Sequence, residues 1–468
     1  MKIDKRIITA GMLFLLVFYI TYRCSSSDPD KKIIVLRDHG VSIENPTIDP
    51  SNLIPQKADS TLISLRYVSR DKSHHILYYM DYTAEVDWDL LLMDTKCKDT
   101  TQIIRRNVPY NLYGIDEATK KVDSLLFYKR PVGQDTSRTK SSRVCSGFVC
   151  HNEHNELLFC RNYDGDKNPL VVVYNKAVKP REYKSVMMTE LPMAQMFSGL
   201  EKEYGYDSCL LEKGKSLDVL LRQPSAIMDG MNEKGLCIAA YQLPNFKVDE
   251  SSELEITGIE DNYKTPRPYG VYQNTGKPQI TATFLHRMIL SKCATVNEVI
   301  NLFKKYDYVT TAPEINIHWY VADADGNWAT LEFWKDKNGK DSLYVMDEKY
   351  RQWASYSSVN NIPYEYRCIE NYYCNEEAAR TYNYDYWQHG YSTKQRALNM
   401  MSHYSPVMTE EDALRCLQYG NFGIETPNEV TDWSCVYNPK KKTILFNMRD
   451  DLSTVYFIDL MKDLGLKK

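Results

Sequence analysis

The sequence has no surplus of charge of either sign. Its 58 lysines and arginines face 62 aspartates and glutamates, a formal net charge of −4. That balance leaves no basic footprint of the kind nucleic-acid binding needs. A dense disulfide framework is also missing. The 12 cysteines are scattered over 468 residues, and Cys160, Cys237, Cys293 and Cys416 fall in expected strands or helices, where they read as buried thiols. Cys368 and Cys374, in a tyrosine-rich segment, are the pair for which a bridge can be considered. A comfortable membrane span is absent as well, because the apolar stretch at residues 7–22 is about 16 residues long, short for a spanning helix and long for the apolar part of a signal.

That stretch nevertheless has the layout of a targeting segment. Lys2, Lys5 and Arg6 precede it and Cys24-Ser-Ser-Ser-Asp follows. The pattern looks like the start of a bacterial lipoprotein with Cys24 as the acylation site. Arg23, where a small residue is usual, keeps an uncleaved signal anchor open as the alternative. Both readings predict an exported chain, periplasmic or cell-surface, tethered to the membrane through residues 1–24. Residues 25–60 are polar, carry Pro29, Pro46, Pro50 and Pro55, and read as a linker. Residues 61–144 show strand character at 61–67, 75–82 and 124–128, with a helix-like run at 88–95. They end in a polar, basic stretch, 133–144, suited to cleavage. Apolar residues make up 43% of the chain, enough to fill a sizeable core, and 36 tyrosines give a surface suited to sugars, rings or partner proteins.

The chemistry concentrates in Cys145-Ser-Gly-Phe-Val-Cys-His-Asn-Glu-His-Asn-Glu-Leu-Leu-Phe-Cys-Arg-Asn-Tyr-Asp164. Alternation over 146–151, a turn at 152–155 and the apolar run 157–160 predict a β-hairpin. Folding it back brings Arg161 and Asp164 near Cys145. An α-amine titrates at about 7.7–8.0 and a thiol at about 8.5. A cysteine at a newly cut N-terminus therefore carries its own base, as in the N-terminal threonine enzymes. Arg161 could then hold the thiolate and Asp164 could orient the amine. Two other readings stand beside this one. Cys145, Cys150 and Cys160 could be ordinary buried strand thiols. Cys145, Cys150, His151 and His154 are zinc-ligand types, but adjacent Cys150 and His151 point to opposite faces of a strand and no second paired cluster follows.

The hairpin resembles the opening of the choloylglycine hydrolase, or penicillin V acylase, family of linear-amide C–N hydrolases. Further blocks follow in that family's order. They are Asp229-Gly-Met-Asn-Glu-Lys-Gly-Leu236, the strand pair at 317–326 and 329–333 with a turn at Asp325-Gly326, Ser392-Thr-Lys-Gln-Arg396, and closing strands at 431–437 and 443–447. The resemblance runs from Cys145 to the C-terminus. It implies an α+β protein with the four-layer αββα sandwich of N-terminal-nucleophile hydrolases, occupying residues 145–468 and preceded by a tether and a pro-region. It implies Cys145 as nucleophile, Arg161 as neighbour of the thiolate and Asp164 as partner of the amine. Gln242 falls where the family commonly places an oxyanion Asn or Tyr, and Arg396 matches a late catalytic arginine. A second oxyanion asparagine is expected after the central strands. The usual Thr-Asn step is not reproduced there, and Asn360 is the position selected.

Leu170–Tyr174 and 236–241 read as strands, and 280–291, 296–306 and 409–419 as helices, the second capped by Thr295. The long, charged segment 244–278 is the candidate lid. His318, on an apolar strand, reads as a satisfied core histidine. The sequence thus predicts an exported amidohydrolase that cleaves a linear, non-peptide amide of a small molecule, activated by a cut before Cys145. Bile-salt conjugates, N-acyl amino acids, acyl-homoserine-lactone-type signals and penicillin V are all compatible. No metal or organic cofactor is implied, and a homo-oligomer is compatible. The competing reading is a surface-tethered binding protein on an inactive version of the same fold.

Overall fold

The computed structural model describes residues 32–36, 63–70, 76–83, 145–165, 170–176, 179–190, 224, 227–243, 271, 273, 275–309, 317–356, 367–376, 378, 399–420, 430–448 and 451–466. The targeting segment, most of the lid candidate, Asn360 and Arg396 lie outside these residues, as do the expected elements at 88–95 and 124–128. Among the described residues no helix is long and apolar enough to cross a membrane.

The predicted hairpin forms as β4 (Cys145–His151) and β5 (Leu157–Gly165). Its turn closes through Asn152, whose side-chain oxygen accepts from the backbone N–H groups of His154 and Glu156. Asn155 supplies the left-handed residue at φ 57°, a conformation Asn tolerates. The second strand runs further than its apolar run suggests, carrying Arg161 and Asp164 inside the ladder. Cys145 pairs with Tyr163 and Gly147 with Arg161.

Seven strands make one mixed sheet. In spatial order they are β1 (Lys32–Val35), β18 (Thr454–Asp459), β17 (Thr443–Met448), β16 (Val430–Asn438), β5, β4 and β15 (Cys368–Glu370). Nine make the other: β14 (Asp341–Asp347), β13 (Trp328–Lys335), β12 (Ile317–Ala322), β9 (Cys237–Gln242), β8 (Asp229–Asn232), β7 (Ser185–Glu190), β6 (Leu170–Asn175), β3 (Ile76–Tyr82) and β2 (Ile63–Arg70). A short parallel pair, β10 (Gln279–Thr281) with β11 (Asp307–Val309), stands apart. The sheets pack face to face. Val149, Phe159 and Tyr163 from the first share one core with Val172, Met187, Tyr241 and Tyr320 from the second, and Phe159 meets Tyr320 at 5.2 Å between ring centroids.

Helices cover the outer faces. On the first sheet, Phe148, Cys150, Leu158 and Cys160 pack with Leu414 and Leu417 of α4 (Glu410–Gln418), which Thr409 caps. On the second lie α1 (Ala282–Lys292) and α2 (Val296–Phe303); α3 (Glu348–Tyr356) follows β14, and α5 (Leu460–Asp463) follows β18. Thr295 caps α2 as expected, accepting from the Glu298 N–H, while Glu298 reaches back to the Ala294 N–H, a capping box. The result is the four-layer αββα sandwich, an α+β architecture in which strand alternation decides which side chains face the interior.

The block 229–236 builds the turn between β8 and β9. The Asn232 amide donates to the carbonyls of Leu290 and Cys293, and its oxygen accepts from the Lys234 and Leu236 N–H groups. One side chain therefore closes the turn and ties it to the end of α1. Gly235 has φ +87°, and a Cβ there would collide with the Pro439 carbonyl.

The stretch ahead of Cys145, expected to be a pro-region outside the family core, contributes β1, β2 and β3. Strand β3 runs parallel to β6 over six residue pairs and buries Leu77, Tyr78, Tyr79, Met80 and Tyr82. The guanidinium of Arg287, on α1, stands 4.9 Å from the Tyr82 ring centroid. β1 runs parallel to β18 and closes the other sheet at the opposite end of the chain.

Behind β8, buried His286 accepts the Trp319 indole N–H at its Nε2 (2.8 Å) and so carries its proton on Nδ1, 2.8 Å from the Ile227 carbonyl. Burial lowers its pKa to about 4. The folded state therefore resists a proton that the unfolded chain takes up near 6.5. Stability should be intact above pH 6.5 and fall as pH drops toward 4, by on the order of 3 kcal/mol in all. Urea melts of wild type and His286→Gln over pH 4–7 check this; the substitution should flatten that part of the profile.

Candidate active site

Four residues of the predicted hairpin meet between the two sheets. Cys145 and Gly147 from β4 and Arg161 and Tyr163 from β5 take alternate positions facing the second sheet. Arg161 Nη2 lies 3.4 Å from Cys145 Sγ, with both residues buried. A cation at this distance favours the thiolate over the thiol. The same guanidinium stands 4.5 Å from the Tyr241 ring centroid and 5.5 Å from that of Tyr163, within cation–π range. Gly147 is what permits this stacking, since a Cβ there would collide with the Tyr241 hydroxyl and the Cys160 carbonyl. Burial pushes the Tyr241 phenol well above its ordinary value, so it stays neutral beside the arginine.

A buried arginine needs a counter-charge, and Asp229 supplies it across the interior. Its Oδ2 is 2.8 Å from Arg161 Nε, with both side chains fully buried. Asp229 also accepts from Trp433 Nε1 at 3.1 Å, from the Tyr437 hydroxyl, and from Cys435 Sγ at 3.8 Å. Burial pushes its carboxyl upward, against the opposite pull of Arg161 and these donors. Burial also opposes charging Arg161, yet the neighbouring Cys145 and Asp229 hold its pKa above the usual arginine range. Asp229 lies inside the 229–236 block, but sequence reading gave it no role. A carboxylate opening that block was the available signal.

Asp164 is buried one position beyond Tyr163, opposite Thr431 in the ladder. Its Oδ1 accepts from the Thr431 hydroxyl at 2.5 Å. The ladder then slips between Thr431 and Trp433, leaving Asp432 as the extra residue of a bulge, a device that re-aims side chains. The buried carboxylates of Asp432 and Glu190 close on Gly165, where no Cβ fits between them.

The backbone nitrogen of Cys145 donates to Asn371 Oδ1, and Asn371 Nδ2 donates to the Gln242 carbonyl oxygen. Asn371 follows β15, whose pairing with β4 sets Glu370 opposite Ser146 and brings the next residue to the level of Cys145. Asn371 is a residue the sequence reading did not select, while Asn360 lies outside the described residues. The asparagine beside Cys145 is Asn371, eleven residues after Asn360, because the short edge strand β15 delivers it. Gln242 is at the site, but the bond given to it is through its backbone carbonyl, with Asn371 as donor. The group bonded to Cys145 N–H is an asparagine preceded by Glu370, so the missing Thr-Asn step hid it.

The four zinc-type residues are dispersed. Cys145 faces the inter-sheet core, Cys150 faces α4, and His154 sits in the exposed turn beside Glu153. Cys368 and Cys374 are free thiols, as are Cys160, Cys237, Cys293 and Cys416 in the core.

Residues 145–371 match the model of the linear amide C–N hydrolases, choloylglycine hydrolase family. That match takes in the segment carrying Cys145, Arg161, Asp229 and Asn371, and it supports a hydrolase acting on linear amides. No curated protein sequence matches it. Among solved structures it is similar to penicillin V acylase from Agrobacterium tumefaciens, at 17% identity over 69% of this chain and 88% of that one, with TM-score 0.39. It is similar to the conjugated bile acid hydrolase of Clostridium perfringens, at 14% identity over 68% and 93%, with TM-score 0.40. A third is the Caenorhabditis elegans N-acylethanolamine-hydrolyzing acid amidase orthologue, at 12% identity over 63% and 93%, with TM-score 0.32.

Removing one member of a buried ion pair leaves the other unpaired, at a typical cost of about 3–5 kcal/mol. Asp229→Ala should lose stability on that scale in denaturant titrations. Asp229→Asn, which keeps an oxygen for Tyr437 and Trp433, should lose less while still slowing alkylation of Cys145 by iodoacetamide at neutral pH.

Proposed function

We propose that this protein is a cysteine amidohydrolase whose nucleophile is Cys145, made active by cleavage of the Val144–Cys145 bond. The observation that carries this reading is that both reactive atoms of Cys145 are already engaged. Its sulfur lies 3.4 Å from the Arg161 guanidinium, and its nitrogen donates to the Asn371 amide oxygen. In the uncut chain that nitrogen is a peptide N–H. Cleavage turns it into an α-amine near its own thiol, a base that titrates close to neutral pH.

In the mature enzyme the thiolate, held by Arg161, attacks the carbonyl carbon of a linear amide. An S–C bond forms and the carbonyl electrons move onto oxygen. The Asn371 amide and the Gln242 side chain are assigned to that oxygen, a contribution typically of about 2.7–4 kcal/mol per donor. The C–N bond breaks as the α-ammonium passes its proton to the leaving amine. Water, deprotonated by the same amine, then hydrolyses the thioester and restores the thiolate. Asp164, fixed by Thr431, is assigned to the amine, and Arg396 to a late contact with the reacting group. Asn371 takes the role that sequence reading gave to Asn360. Bile-salt conjugates, N-acyl amides and phenoxyacyl amides such as penicillin V all offer the required linear amide.

Intact-mass and N-terminal analysis of purified wild type beside Cys145→Ala tests the activation step. Wild type should begin at Cys145, with the control uncut, and only wild type should turn over a panel of such amides. Because β1, β2 and β3 are strands of the two sheets, the 1–144 and 145–468 pieces should co-elute on size exclusion after the cut. Active protein with an intact Val144–Cys145 bond would overturn the reading. Export and membrane tethering through Cys24 belong to the same proposal, supported by the basic-apolar-cysteine order of residues 2–24. Wild type should fractionate with membranes, and Cys24→Ser should be released unless the segment is an uncleaved anchor.

A further inference from the structure

The loop that delivers Asn371 is short, and its own strand β15 spans only Cys368–Glu370. Two buried side chains of the opposite sheet hold it on either side. On β13, Glu332 accepts the backbone N–H of Cys374 at 2.9 Å with Oε2 and that of Asn375 at 3.2 Å with Oε1. On β12, His318 places Nε2 3.0 Å from the Glu370 carbonyl and Nδ1 3.3 Å from Glu332 Oε2. His318 therefore fixes the peptide just before Asn371, Glu332 fixes the turn just after it, and the two are joined to each other. Both are fully buried.

Among the described residues, His318, Glu332 and Cys374 are also the group whose ligand-type atoms gather within 4.8 Å. Both carboxylate oxygens already accept backbone N–H bonds, and burial pushes the Cys374 thiol up to about 12. The cluster has the chemistry of a brace, not of a thiolate metal site.

We infer that His318 and Glu332 are positioning residues for the reaction: they set the Asn371 amide against Cys145 through the backbone of residues 370–375. This inference rests on the reading of Cys145 as nucleophile. A backbone shift of about 1 Å at a reacting group can cost on the order of a hundredfold in rate. Neither residue touches Cys145, so the effect must pass through Asn371.

The test uses full-length His318→Leu, His318→Gln and Glu332→Gln, with active sites counted by thiol titration of Cys145. His318→Leu fills the space without a donor, whereas Gln can still donate to the Glu370 carbonyl. Turnover per titrated site should fall at least tenfold in His318→Leu with KM within twofold, and His318→Gln should recover most of it. Hydrogen exchange should rise at least tenfold in peptides covering 145–150 and 368–376 in His318→Leu and Glu332→Gln, and stay unchanged over 443–448 of the same sheet. Equal per-site turnover in Leu and Gln variants, or exchange that rises only within 317–335 or uniformly, would overturn the inference. If wild type turns over no amide and resists cleavage, the functional reading fails instead. The exchange pattern then still decides whether the brace governs Cys145.

Discussion

The core around Cys145 is organised around one buried ion pair between the two sheets. Arg161 projects from the first sheet into a space without solvent, and Asp229 meets it from the second at 2.8 Å. Such a pair costs several kcal/mol per ion to desolvate and persists only when every remaining valence is filled. The surroundings meet most of that demand on the carboxylate side. Trp433, Cys435 and Tyr437, alternate residues of β16, all turn toward Asp229. Tyr241 and Tyr163 offer ring faces to the guanidinium, and Gly147 leaves the room for Tyr241. With Nε on Asp229, the terminal Nη2 of the arginine faces one sulfur. What looks like packing between two sheets is, at its centre, the support that holds a guanidinium against the Cys145 sulfur.

A second inter-sheet support has the same logic with different chemistry. On the far side of Cys145, His318 and Glu332 reach from the second sheet to the backbone around Asn371. Cys145 thus lies between two contacts, one ionic and one built from backbone hydrogen bonds, and both originate in strands β8, β12 and β13. Mutations far from the thiol in sequence, on β8, β12 and β13, are expected to act on it through Arg161 and Asn371.

The parts legible in the sequence were those carried by local pattern. Alternation exposed β4, an apolar run marked β5, the family resemblance marked β12 and β13, and cap chemistry marked α2 at Thr295. Spacing from Cys145 singled out Arg161 and Asp164. What stayed hidden depends on contacts distant along the chain. Asn371 reaches Cys145 across 226 positions through a three-residue edge strand too short to show a period. Asp229 was read as part of a turn block because its partner lies on another sheet. Likewise β1 and β3 could not be assigned to the sheets, since parallel pairing leaves no local signature.

The pairing of β4 between β15 and β5 has one more consequence. A chain end created before Cys145 would not be a loose terminus. It would be the first rung of an interior strand, with its nitrogen turned toward Asn371 and its side chain 3% exposed. Aminopeptidases, N-acetylating enzymes and aldehydes that attack ordinary amino termini need an extended, accessible residue, and this one is paired with Tyr163 on one side and bonded to the Asn371 side chain on the other. An amine freed there would be sheltered from trimming and capping by the same hydrogen bonds that orient it.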